Sequence, residues 1–202
     1  MTSGMSETPA SVKTLRRYWK YKLGLPDPVK LADELSNESD RAAVIISATI
    51  LDDTLTRLLA KRFTFTPDEK QFDYIFRYEG PLGAFSHRIE VAHLFGFIDD
   101  ITRGQLDDIR EMRNACAHSS QPMNFGTKEL ANVARRFFKA NLLPLPTDTQ
   151  DHIRLAFQTE FIILFTILSQ GSREKGLAEI EPTLLAAVRA ARPPSPDKPP
   201  QP

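Results

Sequence analysis

A single cysteine, Cys116, among 202 residues excludes an intramolecular disulfide and points to a reducing compartment, so the expected location is cytoplasmic. No glycine-rich phosphate loop, no Cys/His cluster at metal-ligand spacing and no nucleophile elbow is present. Most enzyme classes thereby lose their characteristic residues, and neither a cofactor nor a metal is implied. Net charge is lacking too: 26 basic side chains cancel 26 acidic ones, which removes any general attraction to nucleic acid or an anionic membrane and leaves only local patches. Long apolar runs are missing. The most apolar stretch, 161–168 (FIILFTIL), is far shorter than the roughly 20 residues a spanning helix needs, and it reads as a core helix with no membrane partner. The first ten residues, MTSGMSETPA, lack the apolar segment of a secretory signal.

What the chain does have is helical periodicity. Residues 1–12 are small and polar and are expected to be disordered; residues 13–192 read as one all-helical domain; the tail 193–202 (PPSPDKPPQP) holds six of the fifteen prolines and should be solvated. Apolar spacing and end signals predict helices over 13–23, 40–63, 67–77, 84–95, 102–117, 127–140 and 148–170, with no competing strand pattern. The expected fold class is therefore all-α, a single-domain bundle of about six to eight helices with no sheet. Thr66, Thr102 and Thr147 are each followed three residues later by Glu or Gln, which predicts capping boxes at those positions. Gly96, Asn141 and Gly171 sit where helices should stop. The segment 42–51 (AAVIISATIL) is apolar nearly all round, as for a central buried helix, and from Asp52 onward the pattern turns amphipathic, with Asp53 and Arg57 placed to pair.

Three local patterns bear on function. The helix over 13–23 carries Lys13, Arg16, Arg17, Lys20 and Lys22 around an aromatic stripe of Tyr18 and Trp19. Ordinary solvation of an amphipathic helix accounts for this charge, and contact with phosphate or an acidic partner is the alternative. If the helix gripped DNA, affinity would fall steeply with salt. His87, Glu90 and His93 share a helix, but the histidines are six residues apart, about 240° around the axis, so they cannot chelate one ion. The turn Gly80-Pro81-Leu82-Gly83 feeds a helix start and reads as a tight connection between packed helices.

The densest chemistry lies at Arg110 to His118 (REMRNACAH). A stripe of Leu106, Ile109, Arg113 and Cys116 predicts that Arg113 points inward or toward an interface. His118, five residues on, lies about 140° away unless the helix ends near it, which the following Ser-Ser-Gln-Pro favours. A fixed cation beside a group titrating near neutrality is what metal-free RNA cleavage requires. The structural alternative has Arg113 and Asn114 bonding neighbouring helices while His118 complements a helix C-terminus.

Three blocks, 39–63, 80–98 and 106–119, together resemble the mannitol-repressor (MltR) family of bacterial all-helical proteins, over about half the chain. The resemblance implies an all-α fold, self-association with a homodimer as the expected form, an unidentified protein partner and a role in transcription regulation. Arg113-Asn114 followed by His118 is also similar to the R-x4–6-H motif of the HEPN superfamily of helical ribonucleases and toxins. That likeness implies Arg113 and His118 as a catalytic pair, with Asn114 beside them, at a dimer interface. No helix-turn-helix with a basic recognition helix is recognisable, so direct base readout is not expected. A regulatory protein acting through partners without catalysis is thus the leading expectation, and a metal-independent ribonuclease the competing one.

Overall fold

The computed structural model describes residues 27–77, 79–141 and 149–171. Among the described residues there are seven helices and no strand. In chain order they are α1 (Pro28–Ser36), α2 (Asp40–Ala60), α3 (Glu69–Phe76), α4 (Phe85–Leu94), α5 (Asp100–His118), α6 (Lys128–Asn141) and α7 (Gln150–Gln170). The chain is all-α, as its periodicity requires.

The two longest helices, α2 and α7, pack on each other and form the spine. Helix α1 lies on α2 and α7, α6 on α7 and α5, and α4 and α5 on each other and on α2. Helix α7 is long and apolar enough to cross a membrane by length and composition, but two thirds of that window is buried inside the fold, as expected of a core helix. Phe125, Phe137, Phe157 and Phe161 fill the centre, with Phe157 4.5–7 Å from its ring neighbours, the usual range for paired rings: 5.3 Å to Phe125 and 6.5 Å to Phe137.

Helix ends follow capping chemistry, with the cap often one short step from the expected residue. Thr66 does not cap α3: Asp68 does, accepting from the Gln71 amide at 2.9 Å while the Gln71 side chain accepts from the Asp68 amide at 3.0 Å. A carboxylate two residues closer to the apolar run wins the same reciprocal geometry. Thr102 likewise lies inside α5, its amide held by the true cap Asp99 at 2.7 Å, and Thr149 rather than Thr147 caps α7. Gly96 and Gly171 have φ of 68° and 71° and close α4 and α7 as expected, because a left-handed residue ends a helix at little steric cost when it lacks Cβ. Helix α1 was not among the expected helices; Asp27-Pro28 is its start signal, with proline at the first helical position. The predicted helix over 13–23 and both terminal segments lie outside the described residues.

Helix α2 departs from expectation. Its N-terminal half is not buried all round: Ala43, Val44, Ser47, Ala48 and Leu51 are buried, whereas Ile46 and Thr49 face out. Neighbouring helices cover α2 on the sides toward α7, α5 and α4, which leaves one strip uncovered.

A largely buried ion pair locks this frame. Asp40, 7% exposed, accepts from the Phe125 amide at 2.9 Å, Gln150 Nε2 at 2.8 Å and an Arg154 guanidinium nitrogen at 2.6 Å. Arg154 also donates to the carbonyls of Leu35, Ser36 and Glu38, at 3.0, 3.1 and 2.6 Å. One carboxylate and one guanidinium thus satisfy the free C-terminal carbonyls of α1, anchor the start of α2 and tie both to α7.

Candidate functional site

The residues singled out on α5 fall on its outer side. The stripe that enters the core runs Leu106, Ile109, Met112 and Cys116, all buried, so the step after Ile109 goes to Met112 and leaves Arg113 exposed. Arg113 therefore does not point inward. Spacings of three and four both keep to one helix face, and the apolar methionine takes the buried position because it needs no charge partner there. Arg113 donates to Asn114 Oδ1 at 3.2 Å. His118 is exposed and is the last residue of α5, the helix ending there as the Ser-Ser-Gln-Pro run predicts. The Ser119 amide closes the end by donating to the Ala115 carbonyl at 3.0 Å, and the Ser119 carbonyl accepts from Arg41 of α2 at 2.9 Å. Along the axis Arg113 and His118 are about 7 Å apart at about 1.5 Å per residue, on sides that diverge by about 140°.

No family model, curated protein or solved structure matches this chain. Its chemistry is therefore read from side chains alone.

Behind Arg113 lies a residue pair that periodicity alone did not single out. Arg88 of α4, 7% exposed, clamps Asp52 of α2 bidentately at 2.7 and 2.6 Å and donates to the Leu82 carbonyl at 2.6 Å. Burial pushes the Asp52 carboxyl above its ordinary value; Arg88 pulls it back most strongly, Asp53 pushes it further up, and Arg113 pulls it down from the α5 side. Arg113 thus sits within electrostatic reach of a half-buried carboxylate. The signal was available in the sequence: Arg88 precedes Ala92 by four residues and so shares its buried face. Burial likewise pushes up Asp53, which Arg57 and Arg88 pull down through space; the Asp53–Arg57 pair expected along α2 does not close to ion-pair distance.

The Gly80–Gly83 turn is a structural joint. Its Leu82 and Gly83 carbonyls receive Arg88, and the first residue of α4 is capped without a side-chain bond. A Cβ at Gly80 would stand 2.2 Å from the Tyr74 carbonyl oxygen, which explains why glycine occupies that corner. The α4 histidines are separate: His87 is exposed, His93 Nε2 lies 3.4 Å from Asp100, and Glu90 is engaged by Arg103 at 2.7 Å. Lys13, Arg16, Arg17, Lys20 and Lys22 lie outside the described residues.

Three exposed large apolar side chains fall at the corner between α4 and α5. Leu94 and Phe95 are each 70% exposed and Ile101 53%, with the Phe95 and Phe97 rings stacked at 5.9 Å. The tight Gly96 turn projects these side chains outward, since the chain reverses before it can tuck them under α5. Taken together they expose on the order of 300 Å² of apolar surface, the size of the largest patches on ordinary monomers, which are often interaction sites.

Proposed function

We propose that the chain is a mannitol-repressor-like helical regulatory protein that works through self-association and a protein partner, without catalysis of its own. The exposed Leu94–Phe95–Ile101 corner carries this reading. A two-fold contact through it would double the apolar area removed from water and relieve the solvent exposure of two large side chains. The test is sedimentation equilibrium of the full chain over a micromolar concentration series, beside Phe95→Ser and Leu94→Ser, both at solvent-exposed positions and each checked for folding by circular dichroism. A concentration-dependent dimer in the wild type, weakened about tenfold or more by each change, supports the reading. A monomer throughout, or a dimer indifferent to both changes, refutes the role of this corner.

A second reading is favoured by a specific observation: Arg113 and His118 are both solvent-exposed, and Arg113 donates only to its neighbour Asn114 among the described residues, so neither side chain is consumed by the core. That availability suits a metal-independent ribonuclease in which Arg113 stabilises phosphorane charge and His118 moves the proton, completed by a second copy. RNA cleavage in excess EDTA, lost in folded Arg113→Ala and His118→Ala proteins, would establish it; absence of cleavage by the wild-type dimer would end it.

A further inference from the structure

A cavity of about 240 Å³ opens where the C-terminal ends of α2 and α7 come together. Its floor is apolar, made by the buried side chains of Leu58 and Leu168. Its walls hold three cations, Arg57, Lys61 and Arg62, and among the described residues no carboxylate lines it. Among the described residues none of the three is ion-paired within salt-bridge distance, in contrast to Arg77, Arg88, Arg103, Arg110, Arg136 and Arg154.

Helix polarity accounts for part of this charge. Two C-terminal ends supply roughly half a negative charge each, about one in total, and the cations at the last turn of α2 complement them. Asp53, one turn back, draws on Arg57 without entering the cavity. Three cations still exceed these negative contributions by about one charge, a surplus that no carboxylate among the described lining residues offsets. Arg62 is also held in place, its guanidinium 5.0 Å from the centre of the Phe97 ring and beside Gly171, where an added Cβ would come within 3.3 Å of it. A stacked guanidinium presents its remaining donors in a fixed fork suited to phosphate oxygens.

We propose that this cavity binds a small phosphomonoester, its dianionic head held by Arg57, Lys61 and Arg62 and its carbon skeleton resting on Leu58 and Leu168. Size sets the class. Ligand pockets for drug-sized molecules run to about 300–1,000 Å³, so this one takes a phosphate with a short carbon chain and excludes a whole nucleotide. A phosphomonoester carries about −1.5 to −2 at neutral pH, more than the single charge of a backbone phosphodiester, which favours the former over nucleic acid. The inference is independent of the reading given for the α4–α5 corner.

Amide chemical-shift titration of the full chain tests it, with inorganic phosphate and glycerol 2-phosphate as probes, sodium chloride at matched ionic strength as control and a short DNA duplex as a separate arm. Saturable shifts confined to the ends of α2 and α7, with a dissociation constant on the order of 0.1–1 mM for glycerol 2-phosphate, are expected. Arg62→Gln and Lys61→Gln, both at exposed positions, should each weaken binding about tenfold without changing the remaining spectrum. Shifts reproduced by chloride, shifts unchanged in both variants, or saturation by DNA with none by glycerol 2-phosphate would each overturn the proposal.

Discussion

Replacing Asp40 with alanine should be among the most destabilising single changes in this chain. The carboxylate is 6% exposed and Arg154 21%, so solvent screens the pair weakly. Its removal strands the buried Phe125 amide, frees the Gln150 side chain and leaves the Arg154 guanidinium without its counter-charge. Breaking one side of a buried pair costs about 3–5 kcal/mol. Arg154 keeps its three carbonyl acceptors and some water, so the lower end, about 3 kcal/mol, is the appropriate figure. With a urea m-value of about 2–3 kcal/mol/M, the unfolding midpoint followed by circular dichroism should fall by about 1–1.5 M. Asp40→Asn keeps an acceptor oxygen and should lose about half as much, as judged by the same curve. Replacing Asp40 and Arg154 together by leucine should cost less than the sum of the single changes by at least about 1 kcal/mol, since the stranded-charge penalty is then counted in neither. A midpoint shift below about 0.3 M for Asp40→Ala at unchanged m, or strict additivity in the cycle, would falsify the assignment of this pair as the lock between α1, α2 and α7.

Three further outcomes can be checked. Carboxyl NMR should place the Asp52 midpoint above 3.8, because burial outweighs Arg88, and Arg113→Gln should move it higher still; an unmoved midpoint would show that Arg113 does not face Asp52. Since the folded state then holds the Asp52 proton more tightly than the unfolded chain, this group favours folding most below 3.8 and loses that contribution as pH rises through its raised midpoint, visible as a shallower acid limb in urea titrations. Gly80→Ala should destabilise by about 1–3 kcal/mol, as its Cβ meets the backbone carbonyls of Tyr74 and Ile75 rather than a side chain that can swing away; a neutral effect in thermal melts would contradict that packing. Cys116 is fully buried and its thiol is pushed up by burial, so it should resist a thiol reagent in the folded chain and react in urea, and rapid native labelling would contradict its position under α5.

How the site became visible differs from how the fold did. Asp68, Asp99 and Thr149 replaced the expected caps because several residues near each start could offer an oxygen, and only the actual exit angle of the chain selects among them. The inward half of the reading for Arg113 fails because Met112 and Arg113 both satisfy helical spacing from Ile109, and only packing against α2 and α6 decides which one is covered. The clamp of Arg88 on Asp52 joins residues 36 apart in sequence, and that of Arg154 on Asp40 joins residues 114 apart; neither separation has a periodicity that could announce it.

The sequence by itself determined the all-α class, six of the seven described helices to within a few residues, the burial of the FIILFTIL segment and the glycine stops at Gly96 and Gly171. Those features depend on local spacing and on backbone conformations that one residue can license. The tertiary structure decided which charges are paired, which apolar residues at the α4–α5 corner stay outside, and where Arg57, Lys61 and Arg62 meet the end of α7. Each of these depends on distances between helices remote in sequence, and such distances are fixed when the hydrophobic faces pack together, not when the individual helices form.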